Sequence, residues 1–155
     1  MTTTDITPVL EESIEVRASP GAVWALISDL TRMPRWSPQV RRTWVKGGTT
    51  QQGARFRNLN RKGLLFWPTS AKVVEFVANR KLAFRVKDNF TVWSFTLEPS
   101  GTGTRITERR EAPDGISAIS IKLTKAVLGG QETFTADLRS GMRQTLTRLK
   151  QDLDG

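Results

Sequence analysis

Residues 131–153 read QETFTADLRSGMRQTLTRLKQDL, the longest run of helical pattern in the chain. Phe134, Leu138, Gly141, Thr145, Leu146, Leu149 and Leu153 recur at steps of three or four, so they share one stripe of an α-helix, while Arg139, Arg143, Arg148 and Lys150 fall elsewhere. Such a stripe must pack on something. At ~1.5 Å per residue the helix would run roughly 34 Å, long enough to cross a whole small sheet. A terminal amphipathic helix laid across a strongly bent antiparallel sheet leaves room for a hollow between the two, and that hollow is where function is expected.

Upstream of the helix the chain reads as the sheet it needs. From Glu12, Ile14, Val16 and Ala18 alternate with Glu15 and Arg17, the pattern of a half-buried first strand behind a loose tail at 1–10. Ser19-Pro20 then starts a short helix through Ala22, Val23, Trp24, Leu26 and Ile27, and Asp29 caps a second one reaching about to Arg35. Short alternating segments follow at 40–46, 54–61, 66–77, 81–86, 90–98 and 104–112, separated by turn residues such as Gly47-Gly48, Lys62-Gly63 and Asp88-Asn89. This predicts a seven-stranded antiparallel sheet, one strand followed by two short helices and a six-strand meander, in an α+β domain spanning 11–155. Between the last strand and the long helix, Ile116, Ile119, Leu123 and Val127 recur at helical spacing before Gly129-Gly130. That segment is either a core helix with a glycine cap or a lid whose apolar face closes the cavity or touches a membrane.

Side-chain parity assigns the faces. Arg55, Arg57 and Arg61 share one side of their strand and belong in water, which turns Phe56, Asn58 and Asn60 inward. The same reasoning sends Trp67, Thr69, Ala71 and Val73 inward, then Trp93, Phe95 and Leu97, then Thr104, Ile106 and Glu108. Composition narrows the chemistry. The chain has no cysteine, histidine or tyrosine, so thiol nucleophiles, disulfides, the usual zinc sites and the commonest general base are excluded. No metal site or cofactor is implied. The opening MTTTDITPVL lacks a basic start and a long apolar run, and no window could span a bilayer, so a cytoplasmic location is expected. The net charge is +9, and between Arg35 and Lys87 thirteen Lys or Arg face a single acid, Glu75. That field suits anionic partners or a solvated sheet face.

The order of elements resembles the helix-grip fold of the polyketide cyclase/dehydrase and lipid-transport superfamily (SRPBCC), which includes the START-like proteins. The resemblance rests on Ala18-Ser19-Pro20 with Val23-Trp24 and Ser28-Asp29, and on Pro34-Arg35-Trp36-Ser37-Pro38. Gly53-Ala54-Arg55-Phe56-Arg57, Asn60-Arg61-Lys62-Gly63, Leu82-Ala83-Phe84-Arg85-Val86, Gly103-Thr104-Arg105-Ile106-Thr107-Glu108 and Thr145-Leu146-Thr147-Arg148-Leu149-Lys150 carry it onward, as far as Leu153, in the manner of one bacterial branch. It implies a curved sheet wrapped around the long helix and an internal cavity for an apolar or amphipathic molecule. It does not imply a reaction.

The expected ligand-binding residues are Phe56, Trp67, Phe84, Trp93, Phe95, Ile106, Phe134, Leu138 and Met142 as walls, with Asn58, Asn60, Thr69 and Glu108 as polar points. Two inward asparagines need water, backbone or a ligand as partner, because burying an unpaired amide costs on the order of 1–3 kcal/mol. Glu108 is expected to pair with an arginine. Three functions follow. The favoured one is binding or carriage of a lipid, acyl chain, quinone or polyketide-like guest, with an anionic membrane surface as a second partner of the basic face. The alternative is a cyclase or dehydratase using Glu108, or Glu75, as its carboxylate. Nucleic acid through the arginine face, with Trp44 stacking, comes third because no recognised motif supports it. Oligomeric state is not legible.

Overall fold

The computed structural model describes residues 9–88, 90–112 and 131–154, with the backbone alone at 131–134. The expected helix at 116–128, the side chain of Phe134 and residues 1–8 of the expected tail lie outside the described residues. The chain runs β1 (Val9–Val16), α1 (Pro20–Ile27), a 3₁₀ turn (Leu30–Arg32), α2 (Met33–Trp36), β2 (Val40–Val45), β3 (Arg55–Lys62), β4 (Leu65–Val77), β5 (Lys81–Val86), β6 (Val92–Ser100), β7 (Gly103–Glu111) and α3 (Gln131–Asp154). Strand β1 starts before Glu12, so Val9 and Leu10 belong to the sheet rather than to a tail, and Leu10 is fully buried.

The seven strands form one antiparallel sheet in the order β1-β7-β6-β5-β4-β3-β2. Strands β2 to β7 are a simple meander, but β1 pairs with the last strand. Residues 17–39 must therefore travel from one sheet edge to the other, and they do so as the short helices. Ser19 Oγ accepts from the Ala22 amide at 3.2 Å to start α1, and Asp29 Oδ1 accepts from the Thr31 amide at 3.1 Å to start the 3₁₀ turn. The single second helix expected after Asp29 is thus two pieces, a 3₁₀ turn and one α-turn.

The sheet curves because its ladder is interrupted. Register slips between Val40 and Arg42 and again between Val73 and Glu75, leaving one extra residue on a strand each time. Past the second slip parity inverts, and Phe76 turns inward to meet Trp24 edge-on at 4.9 Å. At the other edge β1 and β7 approach so closely that a Cβ on Gly103 would stand 1.9 Å from the Val16 carbonyl oxygen. Only glycine fits there. Helix α3 crosses the concave side, with Leu146 and Leu149 sunk among Val16, Val23, Ile27, Trp36, Phe95, Leu97 and Ile106. A second cluster, centred on Phe56, Val73, Leu82 and Phe84, fills the half of the sheet beneath the 3₁₀ turn and α2.

Candidate functional site

Between these two clusters the sheet, the short helices and α3 enclose a cavity of about 140 Å³. Its floor comes from alternate residues of four strands. Asn58 and Asn60 stand on β3, Trp67 and Thr69 on β4, Phe84 and Val86 on β5, and Trp93 and Phe95 on β6. Glu108 of β7 and Leu138 and Thr145 of α3 close one side. Nine of the expected residues therefore meet at one space: Asn58, Asn60, Trp67, Thr69, Phe84, Trp93, Phe95, Glu108 and Leu138.

Three others do not line it. Phe56 is core, stacked edge-on against Phe84 at 5.1 Å, Ile106 is fully buried beneath α1 and α3, and Met142 packs with Leu10 and Leu138. Each points to the correct side of its element but lies beyond the end of the hollow, a position that parity does not encode. Parity also could not supply the roof, which is Ile27, Leu30, Met33, Trp36, Ser37 and Gln39 from the segment between β1 and β2, with Val40 at the start of β2. The only signal for them was the need for that segment to cross the concave face.

The polar points differ in how well they are satisfied. Asn58 Oδ1 accepts from Thr43 Oγ1 at 2.7 Å, and its amide reaches the Met33 sulfur at 3.5 Å. Asn60 Nδ2 donates to the Trp67 carbonyl at 3.2 Å and to Thr69 Oγ1 at 3.0 Å. The asparagines thus find partners within the protein and do not require a guest. Of the cavity-lining groups, Glu108 and Trp36 are left short: Glu108 Oε1 and Trp36 Nε1 are both buried without a hydrogen-bond partner among the described residues.

The expected arginine partner of Glu108 goes elsewhere. Arg139 and Arg143 of α3 bind Glu12 at 2.8 and 2.9 Å, and Glu12 lies directly across the β1–β7 ladder from Glu108. Glu12 sits at the rim, where long arginines can reach it from water, whereas Glu108 faces the interior at 5% exposure. Desolvation pulls the Glu12 carboxyl up, but the two arginines together outweigh it and hold it below its ordinary value of 4.5. Glu108 moves the other way. Desolvation, reinforced by the charge on Glu12, pushes its carboxyl well above 4.5, a shift toward the protonated form. When protonated, this carboxyl can both donate and accept. Arg110, two residues on and on the same inward face, is also buried, and desolvation lowers its guanidinium from the ordinary value. The parity reading of β7 stopped at Glu108 and missed it. Glu75, the other carboxylate considered, is exposed on β4 and paired with Lys81 at 3.4 Å. Among the described residues no group of three His, Cys, Asp or Glu could hold a metal.

The family described as polyketide cyclase / dehydrase and lipid transport matches residues 7–154 of the chain. No curated protein matches in sequence. Among solved structures, a polyketide-cyclase-like protein from Corynebacterium glutamicum is 26% identical, covers 94% of this chain and 90% of its own, and superposes with a TM-score of 0.65. The di-domain ARO/CYC protein StfQ of the steffimycin biosynthetic pathway is 13% identical with a TM-score of 0.77, and this chain spans 51% of it. A Thermus thermophilus protein is 16% identical, with a TM-score of 0.68 over 92% of this chain and 97% of that one. The last two likenesses bear on the fold alone. With the matched region running through every strand and α3, this chain belongs to the polyketide cyclase/dehydrase and lipid-transport family and has its helix-grip fold.

Proposed function

We propose that the cavity binds, and the protein carries, an uncharged amphipathic small molecule with a carbonyl or hydroxyl oxygen. The observation that carries this reading is a mainly apolar space lined by a buried carboxyl that is short of partners and shifted by burial toward its protonated form. The aromatic and aliphatic walls would hold the body of the guest, and Glu108 would orient its oxygen. A free carboxylate on the guest is disfavoured, since among the described residues no cation lines the space. About 140 Å³ compares with the roughly 150 Å³ of apolar cavity that accepts benzene, so the closed form suits one ring or a short chain. A larger guest requires α3 to move. Native mass spectrometry before and after organic extraction tests this: a co-purified organic mass that extraction removes is expected. An empty protein that also turns over a poly-ketone would overturn carriage. Trp36, Trp67 and Trp93 line the space, so refilling should change intrinsic fluorescence, and Val86→Phe should abolish that change while the protein stays folded.

A second reading, acid–base chemistry of the cyclase or dehydratase type, draws on the same raised carboxyl. A protonated Glu108 could serve as the acid toward a ketone oxygen, and could act as a base only above its raised pKa. Turnover that vanishes in Glu108→Gln with guest binding retained would favour it, falling as pH rises through that range for the acid role and rising for the base role.

A further inference from the structure

The sheet's other face carries a feature the cavity does not explain. On the outer side of β2–β5 an open groove of about 870 Å³ is lined by Lys46, Arg55, Arg57, Lys72, Arg85 and Lys87 and, among the described residues, by no carboxylate. The ladder sets them in rows, for Lys46 hydrogen-bonds Arg55, which lies across from Lys72, itself across from Arg85. Neighbours along such a row stand ~4.8 Å apart at the backbone. The nearest acids are engaged at the margin, Asp88 accepting from the Ser70 amide at 2.9 Å and Glu75 holding Lys81.

Large apolar groups stand in the groove, Trp44, Val74 and Phe90, and beyond it toward the β3–β4 turn, Leu64 and Phe66. Trp44 is 47% exposed, Phe66 50%, Phe90 40% and Val74 39%, and Leu64 at the β3–β4 turn is 93% exposed. Each exposed ring carries an arginine over one face: Arg42 over Trp44 at 5.0 Å, Arg61 over Phe66 at 5.2 Å and Arg85 over Phe90 at 5.8 Å. Phe90 is held outward at φ 62, a left-handed conformation that a bulky side chain rarely adopts. A solvated face would need neither the rings nor that conformation.

We propose that this face docks on an anionic phospholipid surface, with a headgroup phosphate in the groove and the exposed rings and Leu64 at the acyl boundary. Ring and guanidinium in contact form a unit that is apolar at one end and phosphate-binding at the other, as the bilayer interface requires. Single-stranded nucleic acid is the competing polyanion, but Leu64 and Val74 offer nothing to a base and one face of each ring is already covered. Docking is independent of the cavity's content, so it can fail while carriage stands, and the reverse.

The full chain is sedimented with vesicles of phosphatidylglycerol and phosphatidylcholine, and with vesicles of phosphatidylcholine alone. Binding to the mixed vesicles only, weakening with salt, is expected. Arg55→Gln with Lys72→Gln should cost roughly 25-fold, at about fivefold per charge. Trp44→Ser with Phe90→Ser should weaken binding and leave its salt dependence unchanged. Both pairs are exposed, and unchanged circular dichroism shows that the fold survives. Equal binding by wild type and the charge variant overturns the proposal. So does retention on a single-stranded oligonucleotide with none on vesicles, which would reassign the face to a polyanionic chain.

Discussion

At the scale of the residue, Glu108 is where folding and function pull against each other. Its carboxyl is raised by burial, so between 4.5 and its folded pKa the unfolded chain loses the proton and the folded one keeps it. The folded state then binds more protons, and stability falls as pH rises through that window. Glu108→Gln removes the titration while keeping a neutral polar group. Thermal melts should coincide near pH 4.5, and the variant should gain up to ~1.4 kcal/mol per pH unit above it, about 3–5 °C each. Parallel melting curves at every pH would show that the group is not protonated in the fold. Below 4.5 a different set acts on both proteins alike, since the carboxyls of Glu12 and Asp154 are held low and their contribution is lost on acidification. The inward direction of Glu108 was legible in two-residue alternation. Its lack of a partner was not, because reach decided which carboxylate the α3 arginines would find, and reach depends on where the helix lies across the sheet.

At the scale of the element, α3 is anchored unequally. Its C-terminal half is fixed by Leu146 and Leu149 in the core and by Asp154, which accepts from the Arg17 amide at 2.8 Å and from Lys150. Arg35 adds a bond to Asp152 at 2.8 Å. The half beside the cavity has a smaller apolar anchor, Leu138 and Met142 against Leu10, and adds polar ties, the Glu12 pair with Arg139 and Arg143 and the contact of Lys62 with Asp137. Half-exposed ion pairs contribute only ~0.2–1 kcal/mol each, so they hold the helix closed without holding the fold together. Asp137→Ala should therefore shift the melting temperature by no more than about 2–4 °C yet speed guest exchange up to about fivefold, with faster amide exchange at 138–142. Unchanged exchange of both guest and amides would place the moving part elsewhere. The helix itself was legible from its stripe, and so were the strands, because half-buried strands alternate. The bulge near Val74 was not. Nothing local distinguishes Val73-Val74-Glu75 from regular strand, and the extra residue is set by pairing with β5.

At the scale of the whole molecule, the order of elements over nearly the full length was enough to read the family. That order carries the architecture but not the cavity's ends, so Phe56, Ile106 and Met142 fall outside the lining while Met33 and Trp36 of the second short helix fall within it. The charge of +9 has a consequence for the entire fold. Rows of cations on the outer face of β2–β5 repel one another at short spacing, and two unit charges at ~5 Å in water oppose folding by about 0.8 kcal/mol before screening. Most ion pairs among the described residues are partly exposed and contribute only ~0.2–1 kcal/mol each, so screening them costs little stability. Raising salt from ~20 mM to ~300 mM shortens the screening length from about 20 Å to about 6 Å and should raise the melting temperature by a few degrees. Arg55→Gln with Lys72→Gln should start from a higher melting temperature and respond less. The same addition of salt weakens attraction to an anionic surface, so one titration should move stability and docking in opposite directions. A melting temperature that falls with salt would mean that ion pairs, not the repulsive outer face, dominate the electrostatics of this fold.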